Sequence, residues 1–405
     1  MTISKSPLSF RYILVTALIL RLIVAPFFYH PDIKSQHFHF QYLSHGVLDI
    51  YSFIIKNRTS LPYRDTFNYL PLTYFTFGAT HAVADLFVPK LDTWINDWGP
   101  SKELDPNIPL YLFFLKIPYI FADLGIGYLF YKMTGRLKPA VLWLFNPFTI
   151  YFVYILANFD IIPVFFTFLS YYLLREKRLT ASALSLGLAI ALKAYPVIFL
   201  PLFAFSYDNK NFKKMFLYSL FSFLPAIISL LPFIFNSYFY QSFLGSGLTQ
   251  KLLERRLFSI PIFPLIYLAI LADFIFYRSA SSKYLSSSLF FLGLTFMVLV
   301  DFHLQWLVWF LPFIILSAYY KKSLIILSFI ILLAAVTKLI FYNDSYLFWG
   351  HLIPINFQFI DLPSPYFFLS QRFGIYFSRL SALPHLLVFV FSLPAIYILR
   401  NSHEK

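Results

Sequence analysis

The sequence predicts an all-α, polytopic integral membrane protein with about 11–13 transmembrane helices, and three observations carry that reading. Of its 405 residues, 59% are hydrophobic and only 12% charged, where a soluble domain carries about 25% charged residues. About a quarter of the area of a chain this long stays exposed even around a large core, so the apolar excess must face lipid. Aromatic residues are extreme, with 53 Phe and 30 Tyr; belts at two membrane interfaces need fewer, so many rings must pack between helices. Apolar runs near the ~20 residues that cross a bilayer recur along the whole chain. With no cysteine, disulfides, thiolate nucleophiles and Cys-based metal sites are excluded. The formal charge of +14 is scattered in short clusters between apolar runs, which reads as topogenic charge on membrane loops and excludes a nucleic-acid partner.

Taken in order, the candidate spans are 10–29, 67–88, 108–131, 139–156, 159–174, 180–206, 212–235, 257–277, 284–300, 303–320, 322–342 and 383–399. The stretch Met1 to Phe10 lacks a small-residue cleavage site and its apolar run is long enough to span, so the first helix is expected to be retained. Short gaps are basic: Lys132 to Lys138, Arg175 to Arg178, Lys210 to Lys214, Arg278 to Lys283, Lys321–Lys322 and the tail after Arg400. The positive-inside rule makes these cytoplasmic. The long gaps 30–66, 89–107, 236–256 and 343–382 then gather on the opposite face. For 175–178 and 210–214 to share a side, 180–206 must cross twice or re-enter, and Lys193-Ala194-Tyr195-Pro196 interrupts that run in its middle. Span 67–88 raises the same question, because 30–66 and 89–107 both look external. A broken hairpin and a wrong side assignment are both open there. Loop stretches such as Phe357 to Pro365 carry Pro, aromatic residues and a few charges, which suits interfacial helices lying along the membrane surface.

Ionisable groups at membrane depth are costly unless paired, so each is a candidate for function. Four clusters stand out. The first long loop opens with His30-Pro31-Asp32-Ile33-Lys34 and closes at Asn68-Tyr69-Leu70-Pro71; Asp32 is either a working acid at the membrane boundary or a solvated loop carboxylate. The second is Asn146-Pro147 followed by Asn158-Phe159-Asp160, where a kinked helix start and N-capping are the plain alternatives. The third is Lys193 with Tyr195 and Pro196, placed by the break at the external surface. The fourth is His303-Leu304-Gln305-Trp306, opening a helix on that same face. All four clusters fall on one side. Lys116 and Asp123, seven residues apart in one span, read as a structural ion pair.

The run NPFTIYFVYILANFDIIPVFFTF from Asn146, the basic REKR loop and ALKAYPVIFLPL through Pro201 resemble the C-type membrane glycosyltransferases, which have the GT-C fold and use polyprenyl-phosphate sugars. They are similar to the GPI mannosyltransferase I catalytic subunits and to bacterial polyprenyl-phosphate-mannose-dependent mannosyltransferases. Asp32 just past the first helix, Gly46 to Tyr51, Tyr69 to Leu72, and Gln305 to Pro312 match further elements of that pattern in order and spacing. The likeness covers helix one to about residue 320, which implies a catalytic transmembrane region over 1–320 and C-terminal helices over 321–405 with the external loop 343–382. Where many relatives carry a second acid, this chain has Lys34, so a divalent metal is not expected, nor any other cofactor.

The resemblance implies an inverting transfer of a hexose, mannose by preference, from a polyprenyl- or dolichyl-phosphate sugar to a glycan or glycolipid acceptor on the non-cytoplasmic face. Asp32 would be the base. Lys34, Lys193, Arg255, Arg256 and His303 would supply cations to the phosphate, with Tyr195 and Gln305 beside them. His30, Asn68, Tyr69, Asn158 and Asp160 would support the site. The donor's lipid needs a groove between helices, for which 212–235 and the loop 236–256, loosened by Gly245 and Gly247, are the candidates. A bacterial plasma membrane is preferred to the endoplasmic reticulum. A transporter or lipid flippase using Lys116, Asp123 and Lys338 is an alternative of another class. An oligosaccharide ligase or polymerase with a diphosphate-linked donor is a third, and would centre on Arg255-Arg256 and Arg372 to Arg379.

Overall fold

The computed structural model describes residues 7–99, 104–207, 211–245, 250–278, 282–342, 344–374 and 382–400, and structural statements here concern those residues. Lys210, Gly247, residues 279–281, Arg379 and the tail after Arg400 lie outside them. The chain is a polytopic helical membrane protein. Its helices are α1 (Pro7–Phe27), α2 (Pro31–Phe40), α3 (Ile50–Asn57), α4 (Pro71–Phe87), α5 (Leu91–Asn96), α6 (Ile108–Thr134), α7 (Leu137–Leu144), α8 (Pro147–Ile150), α9 (Ile161–Arg175), α10 (Leu179–Leu192), α11 (Leu200–Tyr207), α12 (Phe212–Leu230), α13 (Ser237–Leu244), α14 (Ile262–Asp273), α15 (Ser282–Leu299), α16 (Leu311–Tyr320), α17 (Leu324–Val336), α18 (Pro365–Phe373) and α19 (Leu383–Arg400). Strand is confined to the pairing of Arg256–Leu257 with Ile260–Pro261. Four described helices are long and apolar enough to cross a membrane, and seven shorter apolar helices accompany them.

The two doubtful segments resolve differently. In 180–206 the helix stops at Lys193, which is extended at φ −155° and ψ 134°, and a 3-10 turn Tyr195–Phe199 leads into α11. Pro196 explains the stop: it offers no N–H and biases Tyr195 away from helix. α11 then runs back beside α9, with Phe203 6.2 Å from Tyr171 near the basic end of α9. The segment is therefore broken into two helices, α10 and α11, at Lys193. In segment 67–88 the helix α4 is unbroken from Pro71 to Phe87. Near one end Thr73 donates its hydroxyl to the Leu192 carbonyl at the α10 break; further along, His81 meets His37 of α2 at 3.1 Å and Asp92 of α5 at 2.8 Å. Both ends thus belong to the layer that carries α2. No broken hairpin forms there, and 30–66 and 89–107 meet in one layer through Lys34 with Asp97 and Gln41 with Asn96.

The other long loops join that layer. Asn236 donates to Asp49 at 2.8 Å ahead of α3. Tyr29 N–H donates to His351 O at 2.8 Å, and the Tyr151 hydroxyl to Leu347 O at 3.0 Å. In 343–382 the expected surface elements are α18 and a 3-10 turn Phe357–Asp361, which leave Phe357, Phe368 and Phe373 exposed.

Below this layer, two buried cations lock the first crossing helices together. Arg21 of α1 meets Asp123 of α6 at 2.9 Å, with neither side chain exposed. Trp143 of α7 and Tyr154 donate to the same carboxylate at 2.7 and 2.9 Å. Lys116 does not pair with Asp123 as expected. Its ammonium takes the Ala25, Phe28 and Tyr154 carbonyls instead, closing the C-terminal end of α1, where carbonyls lack helical partners and the dipole is negative. Tyr154 lies in a π turn, Tyr151–Ile155, that follows the kink at Asn146-Pro147. At that kink Asn146 caps α8 by accepting from Phe148 N–H at 2.9 Å.

Removing one charge of the buried pair should be costly. Arg21→Leu is expected to destabilise the fold by about 3–5 kcal/mol, and the double change with Asp123→Leu to recover part of that loss. Unfolding in detergent measures both; a single variant within ~1 kcal/mol of the parent would remove the pair from its structural role.

Candidate active site

A polar cavity of about 270 Å³ opens in the loop layer, walled by α2, the run 63–69, the turn before α9, the break after α10 and the turn at 303–306. α2 begins where it does because Pro31 sits at its first position and His30 caps it, accepting from Asp32 N–H at 3.2 Å. Asp32 in that first turn faces the positive end of the helix dipole. Its carboxylate accepts from Gln305 at 3.2 Å and lies 3.4 Å from His30 Nδ1. Burial would raise the Asp32 pKa, but His30, then His303 and Lys193, outweigh it and hold the carboxyl below its ordinary value. The His30 imidazole, which burial alone would push down, is raised by Asp32.

Lys193 also borders this cavity. Its ammonium pairs with Asp160 and lies among the rings of Tyr69, Phe159 and Trp309 at 5.6, 5.1 and 5.5 Å. The second Asp160 oxygen accepts from Trp309 Nε1 at 2.7 Å. Asp160 occupies the N-cap position of α9 without using its side chain there, so capping does not account for its carboxylate.

Asn68, Tyr69, His303, Gln305 and Asn158 line the cavity with Asp32 and Lys193. Tyr195 does not. It stacks on Trp309 at 3.9 Å and borders an adjoining apolar cavity of about 180 Å³ that shares Asn68, Tyr69, Lys193 and Trp306 with the polar one. That space shares Val197, Ile198 and Leu252 with an apolar groove of about 310 Å³ reaching Phe263, Pro264 and Tyr267 of α14. The three cavities thus adjoin in series, through shared lining residues, from Asp32 to α14. Loop 236–256 contributes Phe243, Leu252 and Leu253 to this path, whereas none of 212–235 lines it. Gly245 ends α13 at an ordinary helical φ of −72° and so is no conformational hinge by itself.

Lys34 is placed away from the cavity. Its side chain is fully buried, donates to the Asp97 carbonyl and lies over Trp94 and Trp98 at 4.7 and 5.4 Å. Arg256 is exposed and donates to Leu253 O at 3.2 Å. Arg255 is half-buried near Lys338 and His385 and does not border the cavity. Sequence reasoning missed Lys251. Its ammonium is 3.1 Å from His303 Nε2 and 5.4 Å from the Trp306 ring. Nothing in the sequence joins positions 52 residues apart. Gln36, also missed, was legible as the residue one helical turn beyond Asp32. The Gly46 to Tyr51 element is scaffold: Tyr51 donates to Tyr69 O at 2.7 Å, and Tyr74 to Val47 O at 2.6 Å.

No family model matches the chain. Two curated relatives do. GPI mannosyltransferase 1 of Dictyostelium discoideum is 29% identical over 179 residues, covering 34% of this chain and 40% of its own length. GPI mannosyltransferase 1 of Debaryomyces hansenii is 25% identical over 207 residues, covering 48% of this chain and 44% of its own length. The chain therefore spans less than half the length of the curated relatives it matches. Both come from eukaryotes, and the expected preference for a bacterial membrane finds no support in them.

His303 is open to the cavity, yet surrounding protein and then Lys251 push its pKa down to about 4, against the opposing pull of Asp32. It should be neutral at pH 7, accepting from Lys251 and supplying no positive charge. Titration of labelled histidine by NMR should find it uncharged down to about pH 5, and Lys251→Met should move its pKa up. A midpoint at or above the ordinary ~6.5 would overturn this assignment.

Proposed function

We propose that this chain is an inverting membrane glycosyltransferase that moves a hexose, mannose by preference, from a polyprenyl-phosphate donor to a glycan or glycolipid acceptor at the non-cytoplasmic face. One observation carries the reading: Asp32 and Lys193 border a single polar cavity, and apolar cavities that share its lining residues adjoin it as far as α14, a route suited to a lipid tail. A soluble donor would not need that path. The names of the two relatives point the same way.

On this reading the acceptor hydroxyl gives its proton to Asp32 as its oxygen bonds to the anomeric carbon. The bond from that carbon to the phosphate oxygen breaks on the opposite side, and its electron pair leaves with the polyprenyl phosphate. A positioned base contributes typically 10²–10⁴-fold. No second carboxylate is required, because phosphate departs without prior protonation. Lys193 and Lys251 meet the growing phosphate charge, each with an effect of a few kcal/mol on the barrier. Asp160 and Trp309 hold Lys193 in place and take no part in the bond changes. The reading uses no divalent cation: Lys34 is turned away to Asp97 O, and no group of three His, Asp or Glu among the described residues is placed to hold one. No step is routed through a metal.

A transport path finds less support. Lys116 takes three carbonyls, Asp123 is held by Arg21, and Lys338 pairs with Asp301, so the charges named for such a path are committed to fixed partners. The basic surface a diphosphate donor would want is divided. Arg255 is half-buried near Lys338, while Arg256 and Arg372 are exposed.

Purified protein should consume radiolabelled polyprenyl-phosphate mannose, release polyprenyl phosphate, and keep its activity in EDTA. Asp32→Asn should lower transfer by about 10³-fold while donor binding and melting temperature stay near the parent's. Because Asp32 is held below the ordinary carboxylate pKa, kcat/KM should show no acid limb above about pH 5. Full activity of Asp32→Asn, or a limb near 6.5, would take the base role from Asp32. Lipid movement across liposomes without glycosidic bond formation would favour the transporter.

A further inference from the structure

Two amides in the polar cavity have no role in the chemistry above. Gln36 stands four residues after Asp32 on α2, so both project from the same face of that helix. Asn158 comes from the turn between the π segment and α9, just after Ala157 at a left-handed φ of 48°. Each is more than nine-tenths buried, at 5% and 4% exposure. Both border the cavity, and the side-chain carbonyl of each lacks a hydrogen-bond partner. Other buried amides of this layer are spent on protein: Gln41 donates to Phe38 O and exchanges hydrogen bonds with Asn96. Buried polar groups without partners are rare and call for a specific explanation.

The chemistry of the missing partner is narrow. A phosphate oxygen only accepts, so it cannot satisfy a carbonyl. An amide presents a donor and an acceptor, and a hydroxyl pairs with either, whichever way round the amide sits. Asp32 and Lys193 line the same cavity, and on the transferase reading the transferred ring lies between the base and the phosphate. We infer that Gln36 and Asn158 hold hydroxyl groups of the transferred sugar and set which hexose the site accepts. This assignment rests on the function proposed above.

The test compares polyprenyl-phosphate mannose with its singly deoxygenated analogues as donors for the full-length protein. The unaltered chain should disfavour at least one deoxy donor by about 10- to 100-fold in kcat/KM. Gln36→Met and Asn158→Leu should each lower kcat/KM for the parent donor by a similar factor and erase the penalty for one deoxy position. Losses that multiply with every deoxy donor, or a penalty erased only with deoxy acceptors, would overturn the assignment. Gln36→Met removes an unpaired buried acceptor, so its melting temperature should equal or exceed the parent's. Earlier melting would mean the amide serves the fold, which also overturns it. Failure of the unaltered chain to transfer from any donor would sink the proposed function and this assignment with it. Transfer indifferent to both substitutions would sink this assignment alone.

Discussion

The site depends on one buried carboxylate, Asp160. It binds Lys193, 33 residues away, and Trp309, 149 residues away, and so joins the turn before α9, the break in the α10–α11 hairpin and the 3-10 turn at 304–309. Without it a half-desolvated ammonium would stand among aromatic rings with no counter-charge, a situation costlier than never having had the pair. The break itself is unfavourable in isolation, since it ends a helix inside an apolar segment. The ion pair, the Trp309 hydrogen bond and the Thr73 bond to Leu192 O offset that cost and fix where Lys193 emerges.

The second support lies deeper and acts on direction. Lys116 gathers the last carbonyls of α1 and the Tyr154 carbonyl into one knot, while Asp123 gathers Arg21, Trp143 and Tyr154. The chain leaves α1 toward Asp32 and leaves the π turn toward Asn158 and Asp160. Two cations thus set the separation of both halves of the cavity from below. Tyr154 stands near the end of the π turn, just before the helix stops at Ala157, where its carbonyl has no helical partner and is taken by Lys116.

Much of this is legible in the sequence. Composition and apolar run length demand lipid, and Lys193-Ala194-Tyr195-Pro196 interrupts an apolar run where the helix does break. What misled was local. Segment 67–88 reads as one more apolar run, and only the contacts of α4 with α2, α5 and α10 show which layer it joins. Lys34 was grouped with Asp32 by proximity in sequence, but residues two apart on a helix point to different faces; the start signal at His30-Pro31 implied a helix there. Lys251 was out of reach because a loop contact carries no periodicity. Lys116 and Asp123 illustrate another limit. Opposite charges seven residues apart suggest each other, although each found a stronger set of partners on neighbouring segments.

The Arg21–Asp123 pair has a consequence for biogenesis. The two residues are 102 positions apart, so the ribosome finishes α1 roughly 5–20 s before Asp123 is made, at about 5–20 residues per second. During that interval a guanidinium in the first helix has no carboxylate to meet, and release into hydrocarbon would be penalised. The nascent first helix must therefore linger at the insertion machinery, or at the edge of the bilayer, until α6 follows. Membrane integration of the amino-terminal third is then one cooperative event rather than a helix-by-helix series.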